Sequence, residues 1–161
     1  MKYATRSIAF AALSLGAAAF AGLAVAHDGK PHHTIVEADA VEWGAAPPSL
    51  PAGAQAAALL GSPSKEGPFV LRLKFPAGYI VPPHRHSKDE FVTVISGGFG
   101  IGSGEKLDPA TKPLTAGGFV HLPAGMPHYA TAHGETVVQI NGAGPFDVTY
   151  IDPKDDPRKS Q

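Results

Sequence analysis

The segment Gly78-Tyr-Ile-Val-Pro-Pro-His84-Arg-His86-Ser-Lys-Asp-Glu90-Phe-Val-Thr-Val-Ile-Ser-Gly97 carries most of the information about fold and function. His84 and His86 are separated by one residue, and such residues point to the same face of an extended strand. Glu90 keeps the same parity, so two imidazoles and one carboxylate can reach a common point. This ligand set suits a first-row divalent metal ion. The segment therefore predicts most of a metal site.

A second segment, Gly117-Gly-Phe-Val-His-Leu-Pro123-Ala-Gly125-Met-Pro-His128, offers a further ligand. Its Gly and Pro residues indicate a turn between two short apolar runs, and His128 begins the second run. We expect His128 to join His84, His86 and Glu90 in one site.

Together the two segments resemble the two sequence motifs of the cupin superfamily. The residues that match the motifs are Gly78, His84, His86, Glu90, Gly97, Gly117, Pro123, Gly125 and His128. Ala132 stands where the second motif usually ends in Asn, a position that is not a metal ligand. The resemblance covers approximately Phe69 to Ile140.

The resemblance implies an all-β cupin-type double-stranded β-helix, also called a jelly-roll barrel. It also implies one divalent metal ion bound by His84, His86, Glu90 and His128. Three nitrogens and one oxygen do not choose among Fe, Mn, Ni, Cu and Zn, so the identity of the metal stays open. Cupins include dioxygenases, decarboxylases, isomerases and binding or sensory modules, and the reaction is therefore less well defined than the fold.

Composition and terminal sequences predict the domain organisation. Lys2 and Arg6 precede an apolar run that ends in Ala24-Val25-Ala26, which is typical of a secretory signal peptide over residues 1–26. We expect a flexible leader over 27–33, one barrel domain over 34–152 and a solvated tail over 153–161. We expect the exported domain in the periplasm or outside the cell. The chain has no cysteine, so no disulfide can stabilise this domain and its core must do so.

Partner classes follow from charge. The chain has 13 Lys and Arg against 14 Asp and Glu, and removal of residues 1–26 takes away Lys2 and Arg6 but no acidic residue. This balance predicts no nucleic-acid partner and, after cleavage, no membrane partner. We expect a small-molecule ligand or substrate, and a homodimer stays open.

Strand patterns support an all-β fold. Phe69–Phe75 alternates apolar and polar residues, which predicts a strand that buries its odd-numbered side chains. Gln55–Leu60 favours a strand because Gly and Pro residues bound it. Phe91–Ile95 has apolar residues on both faces and predicts a strand that is buried on both faces. Ser96–Phe99 indicates a hairpin turn, and later strands are expected at 118–122, 128–132, 135–140 and 147–151.

Several other residues are open to two interpretations. His121, Tyr79 and Tyr129 are weak candidates for an acid or base beside the metal, although His121 could equally face away from the pocket. His27, His32 and His33 could bind copper or zinc weakly, but a leader without a specific role is favoured. His133 is expected in a surface turn and Trp43 in the core. The expected apolar wall of the pocket comprises Ile80, Phe91, Phe99 and Met126.

The leading hypothesis is an exported metal-binding cupin that acts on a small organic molecule, as a metal-dependent oxidoreductase of the dioxygenase type. The alternative is a non-enzymatic cupin that binds or senses a small molecule or metal. An enzyme should offer an acid or base beside the metal, and the sequence contains no strong candidate.

Overall fold

A computed structural model describes residues 33–159 of the chain. The predicted signal peptide and the leader histidines His27 and His32 lie outside the described residues. The described part contains nine strands, which we number in chain order: β1 Gly44–Ala45, β2 Gln55–Leu60, β3 Gly67–Phe75, β4 Ile80–Arg85, β5 Glu90–Ser103, β6 Pro113–Leu114, β7 Phe119–Leu122, β8 His128–Gly144 and β9 Thr149–Tyr150. Among residues 33–159, no helix is long and apolar enough to cross a membrane.

Strand β8 organises the sheet. It pairs antiparallel with β5 along most of its length on one edge, and with β4 and then β3 on the other edge. Strands β2 and β1 extend the sheet beyond β3, while β7 and β6 pair with β5. All the pairings are antiparallel, and the inward-facing side chains form one apolar core. The prediction of an all-β cupin jelly roll is confirmed.

Strand β3 has the predicted register. Phe69, Leu71, Leu73 and Phe75 are buried, whereas the alternating residues Val70, Arg72 and Lys74 are only partly buried. The face selected by the two-residue period therefore lies against the core. The strand expected at Gln55–Leu60 is also present, as β2.

Two predicted turns are wrong. Ser96–Phe99 is not a hairpin, because β5 continues through it to Ser103. Likewise β8 passes through His133 and Gly134, so His133 is an exposed strand residue rather than a turn residue. Pairing of β5 with β8 shifts register on both sides of Ser96, which marks a bulge. Gly97 has φ +78°, and a Cβ there would lie 2.3 Å from the carbonyl oxygen of Glu135.

Two expectations about the core are also wrong. Within the Phe91–Ile95 run, Val92 and Val94 are buried, but Phe91 and Ile95 are 38% and 41% exposed. The outer face of this part of β5 is thus only partly covered by other described residues. Trp43 is only partly buried, and the Lys74 ammonium lies 4.3 Å from the centre of its ring at the surface. Trp43 is therefore a partner for a surface cation rather than part of the core.

The chain after β9 has more structure than a solvated tail. Pro153–Asp155 and Pro157–Lys159 form short 3-10 turns. Asp156 is buried, and its carboxylate accepts hydrogen bonds from the Arg158 guanidinium at 2.7 and 2.9 Å. Arg158 also donates to the carbonyl oxygen of Val148, which ties this segment to the start of β9.

Candidate metal centre

Strand pairing places the first two histidines beside the third. Pro82 and Pro83 have no N–H to donate, and the pairing of β4 with β8 is interrupted between Val81 and His84. Pairing resumes with His84 directly opposite His128. His84 and His86 are buried while Arg85 between them is exposed, as the two-residue spacing requires.

Two hydrogen bonds hold the segment before His128 against the segment that carries His86 and Glu90. The backbone N–H of Gly125 donates to the carbonyl oxygen of His86 at 2.8 Å. The backbone N–H of Ala124 donates to the Asp89 carboxylate at 2.9 Å. The distant motifs are thereby fixed side by side, and Glu90 enters the site as the first residue of β5.

The three imidazoles share one orientation pattern. One ring nitrogen from each of His84, His86 and His128 lies within 4.8 Å of the others. Each Nδ1 faces a backbone carbonyl oxygen: Pro82 at 2.7 Å, Asp147 at 2.5 Å and Met126 at 2.9 Å. A proton on Nδ1 leaves the Nε2 lone pair free to bind a metal, and metal-ligating histidines commonly have such a partner.

Glu90 completes the cluster. Its Oε2 lies 3.2 Å from His86 Nε2 and 3.4 Å from His128 Nε2. Two ligand atoms that each lie about 2.1 Å from one ion, as in zinc and related sites, are themselves about 3.0–3.4 Å apart. The two Nε2 atoms are buried and have no hydrogen-bond partner among residues 33–159, which is unfavourable unless another group uses their lone pairs. The three histidines are therefore positioned to bind a metal ion, and the Glu90 carboxylate lies beside two of them.

The electrostatics of the cluster favour the metal-binding forms of His84 and Glu90. Burial, reinforced by the neighbouring His128 and His86, lowers the pKa of His84 to about 3, so this imidazole is neutral near pH 7. Burial alone would raise the pKa of Glu90, but the adjacent His128 and His86 outweigh it and lower the pKa to about 2. For His86, burial is outweighed by the Glu90 carboxylate and the pKa is raised. Glu90 is therefore ionised throughout the ordinary pH range.

The cluster opens on to a cavity of about 380 Å³ inside the barrel. Its wall consists largely of aliphatic and aromatic side chains from β3, β4, β5, β7 and β8. Apart from His86, the rest of the lining comes from three segments outside these strands: Pro47, Ser49 and Leu50; Pro63 and Ser64; and Phe146 and Val148. The volume lies within the range of about 300–1,000 Å³ that is usual for small-molecule sites.

Comparison with known proteins agrees with this arrangement. The family model described as a cupin domain matches residues 71–142, which include all four residues of the cluster. The chain belongs to the cupin superfamily. No curated protein matches the sequence of this cupin at a significant level.

Three solved structures have the same fold as this cupin. The polyketide cyclase RemF from Streptomyces resistomycificus is 17% identical, with a TM-score of 0.62 over 80% of this chain and 92% of that chain. A proposed acetylacetone dioxygenase from Methylibium petroleiphilum is 20% identical, with a TM-score of 0.60 over 80% and 87%. KdgF from a Halomonas species is 18% identical, with a TM-score of 0.54 over 70% and 94%. Identities this low show the shared fold alone.

The three weak catalytic candidates do not line the cavity of the cupin. His121 lies on the outer surface, where Nε2 is 3.1 Å from the Asp89 carboxylate and the ring stacks on Phe91. Tyr79 is buried, and its hydroxyl donates to the carbonyl oxygen of Pro51. The Tyr129 hydroxyl is 2.9 Å from the hydroxyl of Thr111. The structure therefore places none of these groups beside the metal cluster.

The prediction of the residues that form the cavity wall is also largely wrong. Of its four residues only Phe99 lines the cavity, whereas Ile80 and Phe91 are exposed on the barrel surface. Met126 packs against the core outside the lining.

Two residues that the sequence did not indicate contact the cluster from the segment before β9. The Phe146 ring stacks on the His86 ring with 4.3 Å between centroids. Asp147 supplies the carbonyl oxygen that His86 Nδ1 faces, and its side chain accepts a hydrogen bond from the backbone N–H of Ser87 at 2.9 Å. Both lie about 60 residues after His86, so no local pattern could have associated them with the site.

Proposed function

We propose that this protein is an exported, metal-dependent cupin oxygenase that acts on a small organic molecule. One observation carries the proposal: a buried set of three histidines and one glutamate, with the chemistry of a metal site, opens on to an apolar cavity of about 380 Å³. The proposed export rests on the signal-like sequence of residues 1–26.

His84, His86, His128 and Glu90 are the proposed ligands. A bound ion would supply a coordination point for oxygen atoms of the substrate and, if redox-active, a site for dioxygen chemistry. The backbone carbonyls of Pro82, Asp147 and Met126 would hold the three imidazoles in the required orientation. The role of the protein is thus to fix the ligands and keep one substrate beside them.

The composition of the cavity supports this type of reaction. Among the described residues, the cluster itself supplies the only ionisable side chains in the lining. A hydrolase or isomerase of the usual kind needs a further acid or base within hydrogen-bond reach of the substrate. The apolar wall can instead exclude water and bind the carbon skeleton, which suits a reaction centred on the ion.

The same observation favours a second candidate function. A cavity that lacks a separate acid or base within residues 33–159 also suits a protein that binds or senses a small molecule without turnover. In that case the ion would order the pocket, and ligand binding would stabilise the folded state.

The test is to remove all metal and reload the protein with iron, manganese, nickel, copper or zinc in turn. Oxygen uptake and product formation are then followed by oxygen electrode and mass spectrometry, with phenolic and dicarbonyl compounds as substrates. We expect oxygen-dependent product with at least one redox-active metal and none with zinc, which has no accessible second oxidation state. Equal product yield under nitrogen or with zinc would exclude an oxygenase. Ligand-dependent stabilisation without product under any metal would identify a binding protein.

A further inference from the structure

We infer that the ligand of the cavity carries charge only at the end that meets the metal cluster, and that the rest of the molecule is neutral and largely apolar. This substrate class rests on the proposed metal centre. It follows from the chemistry of the cavity wall rather than from that of the metal ligands.

The wall offers very few groups that could recognise charge or several hydroxyls. In the part of the chain that the structure describes, no Lys, Arg or Asp lines the cavity, and Glu90 is its only acid. Side-chain hydroxyls in the lining are limited to Ser49 and Ser64, which both belong to the segments outside the strands. The inner wall is formed by aliphatic and aromatic residues.

Such a wall discriminates by desolvation. A second carboxylate or a phosphate on the ligand would be transferred from water into a cavity that offers no cation to pair with it. Burial of an unpaired charge is strongly unfavourable. A sugar would lose the hydration of many hydroxyls and recover few hydrogen bonds. An apolar body loses nothing of this kind and gains from transfer out of water.

The charge of the cluster defines the other end of the ligand. A divalent ion with one carboxylate and neutral imidazoles has a net charge near +1. A singly charged head with two oxygen atoms, such as the enolate of a β-dicarbonyl compound, would neutralise this charge and bind the ion through both oxygens. The structure thus matches an apolar substituent joined to one chelating, singly ionisable head.

Two cross-strand pairs form the part of the wall against which the apolar body would pack. Leu71 lies opposite Ile140, and Leu73 lies opposite Val138, and all four residues line the cavity. Val138 is 1% exposed, whereas Val137, its neighbour in the same strand, is partly exposed and does not line the cavity. These two valines provide a matched pair of positions for substitution.

The experiment compares three probes that share one chelating head: acetylacetone, benzoylacetone and para-carboxybenzoylacetone. Each is titrated by calorimetry into zinc-loaded protein, because zinc allows binding without turnover. We expect benzoylacetone to bind at least about tenfold more tightly than the other two, since its phenyl group is buried without an added charge. Comparable affinities for benzoylacetone and its carboxylate would overturn the inferred substrate class.

Substitutions test where the phenyl group lies. Val138→Phe should weaken benzoylacetone binding at least about tenfold, because the larger side chain occupies part of the cavity, whereas Val137→Phe should not. Val148→Phe is a second cavity variant in a partly exposed segment, should the first fail to fold. Full affinity in the folded cavity variant would contradict the inference.

The outcomes separate this inference from the proposed function. If the wild-type protein does not bind one zinc ion per chain, both the proposed function and the inferred substrate class are wrong. One bound zinc with no preference for the neutral probe would overturn the substrate class alone. The predicted preference combined with no oxygen uptake under any metal would leave the substrate class intact and overturn the oxygenase.

Discussion

Replacement of Phe69 by alanine tests the packing that links the core to the metal cluster. Phe69 is 1% exposed, and its ring lies edge-on to Phe146 with 5.3 Å between centroids. Phe146 in turn stacks on His86. Truncation of a buried Phe costs about 3–5 kcal/mol, from lost burial and from the cavity that remains. We expect Phe69→Ala to lower the free energy of unfolding by this amount.

The matched control is Phe91→Ala. Phe91 is 38% exposed on the outer face of β5, so its truncation should cost about 1 kcal/mol or less. Urea denaturation of both variants, followed by circular dichroism, gives the two free energies directly. Equal losses, or a larger loss for Phe91→Ala, would refute the assignment of inward and outward faces. Metal affinity should also fall in Phe69→Ala, because Phe146, which stacks on His86, loses its contact with the Phe69 ring.

Three further predictions concern the sheet, the cluster and processing. Leu71→Asp should be severely destabilising because it places a carboxylate on the buried face of β3, whereas Arg72→Asp should be tolerated; equal unfolding midpoints in urea would contradict the register. The raised pKa of His86 means that protons compete with the metal above the ordinary value of 6.5, so affinity should fall with decreasing pH from above 6.5. Glu90→Gln removes the carboxylate that raises the pKa of His86, so the pH at which zinc affinity begins to fall should be lower in this variant. If that pH is unchanged in zinc titrations, protonation of His86 is not the cause of the fall. Intact-mass measurement of protein from an exporting host should show His27 as the first residue, and a membrane fraction that retains residues 1–26 would favour an anchor.

The sequence predicted the features that depend on local spacing. The alternation in Phe69–Phe75 identified both the strand and its buried face. Spacing alone also selected His84 and His86, because residues two apart on an extended chain share a face. Glu90 was selected by the same parity, but it reaches the cluster after a bend, as the first residue of β5. Local periodicity was sufficient here because each strand has one side against the core.

Glycine misled the interpretation where two strands approach closely. Gly97 was expected in a turn, yet it lies in a bulge where a Cβ would meet the carbonyl oxygen of Glu135 and the hydroxyl of Thr136. A need for positive φ and for close contact both select Gly, and the sequence does not distinguish a turn from a bulge. β5 and β8 are consequently longer than expected.

Features that depend on distant contacts could not be predicted. Nothing near Phe146 or Asp147 indicates that the chain returns to His86 at this point. The inward or outward direction of Phe91 was also undetermined, because this run has large apolar residues on both faces. Burial on both faces required a second layer over β5, which the described residues do not supply.

The most direct test of the account is the metal content of four variants purified without an affinity tag. We predict about one equivalent of metal per chain in the wild-type protein and a marked loss in His84→Ala, His86→Ala, Glu90→Ala and His128→Ala, because each removes one ligand of a single site. His133→Ala is the control, since His133 is exposed on the barrel surface and should leave the metal content unchanged. A full equivalent of metal in His86→Ala would contradict the account and place the ion elsewhere, for example at His27, His32 and His33.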